Sequence, residues 1–574
     1  MRLFYCYLLL IFTGFGLVAC EQTTGEPEIP IGPMVLDYNF GSDAISLDSA
    51  FAVNQVSQDV SAQLFEGLTG FDAQSGQIIP ALAEDWDVSE DGFTYTFKMH
   101  ENAFWVNQAG EPLRQVTAAD VVYSIRRVCD PAVESPSSHI LFVIRGCQDA
   151  HESVVIPDLE LIGVQELEPF IVEFWLAEPV AYFPLILSLP VARPVPQDVV
   201  EAHGTRWTEL EHILTNGAFY LNEWQPNEQI TLIKNPNYYE AADVHLVRVN
   251  GHLLDDVAAS KRYLDNQLDA ITLSPPETGR LRSMSGLAAQ WTRMPESCTY
   301  GYGFTLVKPP LDNVRVRRAL SMALDRQKLI DQVQGTQLAA YHFAPPFVFG
   351  ALPLENSAPE GFNLQMAQKL LAEAGYANGQ GFPPLTLWHP ANDEQAQFAA
   401  GATEMWKANL GIEVEVLSLP REQYLALMQT TTPIEEISHI WALGWCADYP
   451  DQHNWIYDVF NLNADPQDKA PANRDFEDRM TIYGGGQYIR RTASDFDELT
   501  EQAITERDPE KRLALYAQAE QILTVEEAMI APIYYYTINA FTKPWLQRTY
   551  SPATGQSFKQ WKIDMPAKEA ARNP

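Results

Sequence analysis

Cys446 and Asp448 stand two residues apart in Gly444-Trp445-Cys446-Ala447-Asp448-Tyr449-Pro450, directly behind the apolar run Ile440-Trp441-Ala442-Leu443. A carboxylate set among aromatic and aliphatic side chains is costly unless it faces water or meets a cation. The chemistry on offer is capture of a positive group by Asp448, with Trp445 as an aromatic wall and Cys446 available for a covalent tie. An Asp ahead of Tyr-Pro also organises a turn by itself, and a Trp in such a run also packs into a core. Residue types alone leave both readings open.

Other chemistry is sparse. The sequence has no Gly-x-Ser-x-Gly elbow, no Walker loop and no His-Glu-x-x-His. Its 11 histidines are scattered, and His245 and His252 lack metal-ligand spacing. With 75 acidic residues, pairs such as Glu435-Glu436 arise by chance, and nothing singles out an acid and a base for glycoside hydrolysis. The expectation is a protein without catalysis, cofactor or metal.

The elements that would position these residues are legible in part. Asn363 caps a helix with Ala367, Leu370, Leu371 and Ala374 on one face and Gly375 as its stop. Leu385 to Trp388 reads as a strand, Glu394 to Asn409 as a helix, and Ile412, Val414 and Val416 alternate with Glu413 and Glu415 as a second strand. Strand, helix and strand in that order make a βαβ unit with parallel strands. A helix is expected over 313–333, capped by Asn313. Another starts at Asp508-Pro509-Glu510, with Leu513, Tyr516, Ala519 and Leu523 on its apolar face. It leads to a strand at 531–536, and the polar stretch 461–495 reads as a long surface loop.

The ends and the composition point to export. Arg2 precedes an apolar run to Val18, and Leu17-Val18-Ala19-Cys20 matches a bacterial lipoprotein signal, with residues 1–19 removed and Cys20 lipidated. Residues 20–33 read as a lipidated tether. Cys129, Cys147, Cys298 and Cys446 then remain, an even number suited to two disulfides in three possible pairings. The formal net charge of −37 keeps the chain soluble and repels nucleic acid and anionic lipid surfaces.

Ordered motifs along the chain carry a resemblance. They are Leu64-Phe65-Glu66-Gly67-Leu68, Pro80-Ala81-Leu82-Ala83-Glu84-Asp85-Trp86 and Thr117-Ala118-Ala119-Asp120-Val121-Val122-Tyr123-Ser124. Then follow Thr215-Asn216-Gly217-Ala218-Phe219-Tyr220, Asn235-Pro236-Asn237-Tyr238-Tyr239, Val314-Arg315-Val316-Arg317-Arg318-Ala319-Leu320, residues 444–449 and residues 516–536. Over residues 34–565 the chain resembles the extracellular solute-binding proteins, family 5, that serve peptide ABC importers, and within them the periplasmic oligopeptide-binding type.

The resemblance implies an α/β, periplasmic-binding-protein-like two-lobe (Venus flytrap) fold, with an additional α+β domain near the N-terminus. Lobe I would be 34–65, 194–297 and 537–574, the extra domain 66–193, and lobe II 298–536. It implies a monomer in the periplasm or cell envelope, anchored to the membrane only through lipid. Such a protein captures peptides between its lobes and delivers them to permease and ATPase subunits. It implies a Cys298–Cys446 bridge, which leaves a second one, not a family feature, for Cys129 and Cys147. It assigns Asp448 to the peptide α-ammonium, with Trp445, Tyr449 and the Cys446 backbone lining the site. The pattern is broken elsewhere. Where relatives hold the peptide carboxylate with basic side chains, this chain has Ala442, Gln334 and Gln395, and Val53 and Glu296 replace an acidic residue and a tyrosine. The alternative is the same fold with a non-peptide solute such as a metal chelate, haem, sugar or cell-wall fragment.

Overall fold

The computed structural model describes residues 33–72, 77–333, 335–346, 348–352, 361–428, 433–461, 495–551 and 555–572. The expected leader, Cys20, almost all of its tether, Gln334 and the loop over 461–495 except at its two ends lie outside the described residues.

One eleven-stranded sheet organises the molecule. In chain order its long members are β1 (Val35–Asn39), β2 (Phe219–Gln225), β3 (Gln229–Lys234), β4 (Arg248–His252) and β5 (Ala270–Leu273). After them come β6 (Trp291–Phe304), β7 (Leu385–Pro390), β8 (Val414–Leu419), β9 (Ile440–Cys446) and β10 (Ile530–Thr542). Across the sheet they stand in the order β2-β3-β4-β1-β5-β10-β6-β9-β7-β8, with the short strand Leu338–Ala339 beside β10. The two longest strands, β6 and β10, pair along most of their length and join the two halves. At one end β10 continues onto β5, and at the other β6 continues onto β9. Between Pro295 and Thr299 the β6–β10 register shifts. A proline offers no N–H to a ladder, and the irregular stretch that follows it carries Glu296, Ser297 and Cys298.

Two large cores flank this crossing. One gathers residues such as Leu36, Trp105, Phe174 and Trp561; the other gathers Tyr300, Trp406, Trp455 and Ile533. Within the first, a four-stranded antiparallel sheet of Ala83–Val88, Thr94–Met99, Ile171–Trp175 and Val164–Glu168 packs against the helix Ala118–Cys129. Thr117 and Asp120 cap that helix reciprocally, and a disulfide joins its last residue, Cys129, to Cys147.

Local signals place several elements well. Asn392 accepts from the N–H groups of Glu394 and Gln395, and Gly411 closes the helix Asp393–Leu410 in the left-handed conformation. β7 and β8 on either side are parallel, with Leu385 opposite Val414. The single helix expected over 313–333 is instead two, Val314–Met322 and Arg326–Gln332. The guanidinium of Arg326 reaches back to the carbonyls of Ser321 and Leu324, satisfying groups that a continuing helix would have bonded. Asp325 then caps the second piece through Lys328 N–H.

The helix Pro509–Gln521 buries Tyr516 and Ala519 as expected, with Leu523 buried just beyond it, but Leu513 does not share their face. Leu513 is exposed, whereas Arg512 and Glu520 are buried beside Tyr516 and Ala519. Arg512 forms a double hydrogen-bonded ion pair with Asp451, and Glu520 accepts from Phe343 N–H and Gln452 Nε2. Partners distant in sequence hold these charges inside.

Candidate functional site

β6 and β9 run antiparallel with Cys298 opposite Cys446, Thr299 opposite Trp445 and Tyr300 opposite Gly444. The two cysteines form a disulfide across 148 residues. In the chain-entropy account a loop of that length stabilises by about 5 kcal/mol. Locally the bridge holds the end of β9 against the crossing strand.

Among the described residues, the other edge of β9 is covered only at its start. β7 pairs with Ile440 and Trp441, and Tyr424 Oη donates to the Ala442 carbonyl at 2.6 Å. On the opposite edge, Ala447 N–H donates to Ser297 O in the β6 strand at 3.0 Å. Backbone polar groups alternate between the two edges of an antiparallel strand. The N–H and C=O of Gly444 and Cys446 therefore share the direction of the Ala442 carbonyl. They face an edge that no strand among the described residues covers beyond Trp441.

Asp448 follows on the turn after β9. Its N–H donates to Asn454 Oδ1 at 2.8 Å, and Asn454 Nδ2 lies 3.4 Å from Asp448 Oδ2 and 3.0 Å from Asp458 Oδ2. His139 Nε2 approaches Asp448 Oδ2 to 3.8 Å. The Asp448 side chain is 16 % exposed. Tyr449 stacks on Tyr182, with ring centroids 5.3 Å apart, and its hydroxyl is hydrogen-bonded to His453 Nδ1 at 2.6 Å. Burial, reinforced by Asp458, pushes its phenol well above the ordinary range, so it acts as a neutral hydrogen-bonding group.

Asp448 and Tyr449 border a cavity of about 310 Å³ between the two halves of the molecule. Cys446, Asp448 and Tyr449 line it together with Gln55, Arg193 and Tyr550, and Glu296 and Cys298 come from the crossing strand. Burial raises the carboxyl pKa of Glu296. Two carboxylates and one guanidinium thus share a small, partly closed space, a composition suited to a ligand carrying both signs of charge. A larger cavity of about 810 Å³ lies elsewhere, among Arg318, Tyr341, Glu498 and Gln518, and includes neither Asp448 nor any residue of β9.

The structure brings Asp448, Cys446 and Tyr449 together on the cavity wall and keeps Trp445 out of it. Trp445 is 2 % exposed and packs in the second core with Trp441 and Leu443. Alternate residues of a strand face opposite ways, so exposing Cys446 turns Trp445 inward. The aromatic-wall role for Trp445 is corrected accordingly. Ala442 is buried with its carbonyl engaged, Gln395 sits in the first turn of its helix, and Val53 is exposed; none of the three borders this cavity. Sequence reasoning missed Arg193 and His139. Arg193 was signalled, being the lone charge in the largely apolar stretch 183–196; His139 carried no such mark.

No group of three or more His, Cys, Asp or Glu among the described residues is arranged to hold a metal ion. No helix among them is long and apolar enough to cross a membrane.

Residues 77–466 match the family described as bacterial extracellular solute-binding proteins, family 5, middle region. Over 557 residues the chain is 31% identical to the periplasmic oligopeptide-binding protein OppA of Salmonella typhimurium, covering 92% of this chain and 93% of that one. The structure is similar to the periplasmic murein tripeptide-binding protein MppA in its unliganded open form. That match has a TM-score of 0.79 at 27% identity over 93% of this chain and 98% of the other. It is similar, at a TM-score of 0.61 and 25% identity, to Haemophilus influenzae OppA in complex with RPPGFSPFR, covering 93% and 99% of the two chains.

Proposed function

This chain belongs to the bacterial extracellular solute-binding proteins of family 5, and from that premise we propose that it is the substrate-binding component of an ABC importer for peptides. It captures its ligand between two lobes and presents the closed complex to permease and ATPase subunits, without chemistry. It works in the periplasm or cell envelope as a monomer, held to the membrane by lipid on Cys20. Lobe I comprises 34–65, 194–297 and 537–574, the extra domain 66–193, and lobe II 298–536. The register shift between Pro295 and Thr299 serves as the hinge about which the lobes close.

The observation that carries the reading is the pairing of two features at the end of β9. A strand edge at Gly444 and Cys446 that no described strand covers lies beside a cavity that Asp448 lines. A peptide added along that edge gains main-chain hydrogen bonds whatever its side chains are. Its α-ammonium reaches Asp448, where a charge-assisted hydrogen bond forms in a water-poor space. The higher TM-score to an unliganded open form than to a peptide complex supports reading this conformation as the open one.

The test is a thermal-unfolding panel with alanine peptides of two to five residues. A ligand that binds only the folded state raises the melting temperature by mass action, and the peptide is recovered intact. No rise with any member, or cleaved peptide, contradicts the proposal.

A further inference from the structure

Four arginines are buried among the described residues: Arg193, Arg317, Arg326 and Arg512. Three have their donors occupied. Arg317 donates to Leu311 O and Glu527, Arg326 to Pro532 O and Ser321, and Arg512 to Asp451 and Ala503 O. Arg193, 7 % exposed, is the exception. Its guanidinium has no hydrogen-bond or ion-pair partner among the described residues, and its Nε and Nη1 are buried without an acceptor. Burial lowers its pKa to about 10, with Glu66 opposing, so it remains a cation at neutral pH.

A buried charge without a partner is strongly unfavourable, and none of the described residues relieves Arg193. It follows the tight turn Pro190–Ala192 and precedes Pro194, which anchors its backbone. The carboxylate that acts on it electrostatically, Glu66, is already engaged by Lys559 at 3.2 and 3.3 Å and by Tyr238 Oη at 2.7 Å. What Arg193 does border is the cavity that Asp448 also lines, and a second cavity of about 480 Å³ beside Glu66.

We propose that Arg193 receives a carboxylate of the bound ligand. The inference rests on the peptide-binding reading and deepens it. Amino-end recognition on lobe II is matched by carboxylate recognition in the same cavity, from the extra domain. The guanidinium offers two parallel donors to such a group. The carboxylate comes from the peptide's C-terminus or from an acidic side chain, and both deliver the same charge to the same site.

The experiment is calorimetric titration of the mature chain, wild type, Arg193→Met and Arg193→Lys. The probes are alanine peptides of two to five residues as free acids and as C-terminal amides, with a parallel set of amides carrying one glutamate. In the wild type, amidation weakens the best alanine peptide at least tenfold, or the glutamate restores at least tenfold to an amide; the first identifies the C-terminus, the second a side chain. In Arg193→Met that preference falls to within twofold of unity, and Arg193→Lys recovers part of it. The ligand-free Arg193→Met protein melts at or above the wild-type temperature, since an unpaired buried charge has been removed. A preference unchanged in Arg193→Met, no preference in the wild type, or a ligand-free variant that melts well below wild type overturns the proposal and leaves the peptide reading standing. No binding of any peptide in any form overturns both.

Discussion

Arg512 and Arg193 are buried to nearly the same depth, 5 % and 7 % exposed, in regions built on opposite principles. Behind the cavity, Arg512 donates to both oxygens of Asp451 at 2.6 and 2.7 Å, to Ala503 O at 2.8 Å and to Tyr516 Oη at 2.9 Å. On the cavity wall, Arg193 donates to no group among the described residues. The contrast extends to the carboxylates. Asp451 is 1 % exposed and saturated by the chain, whereas Asp448, three residues earlier, sits on the cavity wall. A charge whose partners are supplied by the fold stabilises the scaffold. Arg193, a charge that the fold buries without a partner among the described residues, makes sense when that partner arrives from outside.

The comparison breaks most sharply at the scaffold side. Arg512→Met strands Asp451 and should lower stability by about 3–5 kcal/mol, the usual consequence of removing one member of a buried pair. Denaturant unfolding measures this, and pairing the change with Asp451→Asn should recover part of the loss. At the cavity the same kind of substitution should spare stability and remove affinity. Asp448→Ala should weaken the best peptide by about 2–4 kcal/mol with the unfolding midpoint little changed. A midpoint that collapses would put Asp448 on the scaffold side of the contrast.

Glu520 sharpens it further through pH. Burial pushes its carboxyl from the ordinary 4.5 up to about 7, although Phe343 and Ala344 N–H groups oppose the shift. Between those values the folded state holds a proton that the unfolded chain has lost, so stability falls as pH rises from about 4.5 to about 7. A shift of that size corresponds to roughly 3 kcal/mol. Glu520→Gln cannot ionise and should remove this part of the slope, leaving the variant the more stable protein above pH 7. Gln452, whose Oε1 has no partner among the described residues, can turn to accept the new amide. Denaturant unfolding at a series of pH values checks the sign.

Much of the architecture was legible because its signals are local. Asn363, Asn392 and Gly411 mark helix ends by their own hydrogen bonds and backbone conformation, and these ends fall within a residue of their expected places. What was not legible depended on distant partners. The break near Ala323 depends on Arg326, which also donates to Pro532, 206 residues away. The face of the last long helix is set by Asp451, 61 residues from Arg512. Trp445 is a different case. Trp441, Leu443 and Trp445 recur at every second position, so strand alternation already argued for the core against the cavity. Arg193 was visible as a lone cation in an apolar run; that the fold gives it no partner was not.

The most direct test of the central claim, that an interlobe carboxylate waits for a ligand's ammonium group, compares peptides with free and acetylated amino ends. Titrated into the wild-type protein, acetylation of the best alanine peptide should weaken binding at least tenfold. In Asp448→Ala the free and acetylated forms should bind alike. Equal affinity of the two forms for the wild type, or a preference that survives loss of Asp448, contradicts the account.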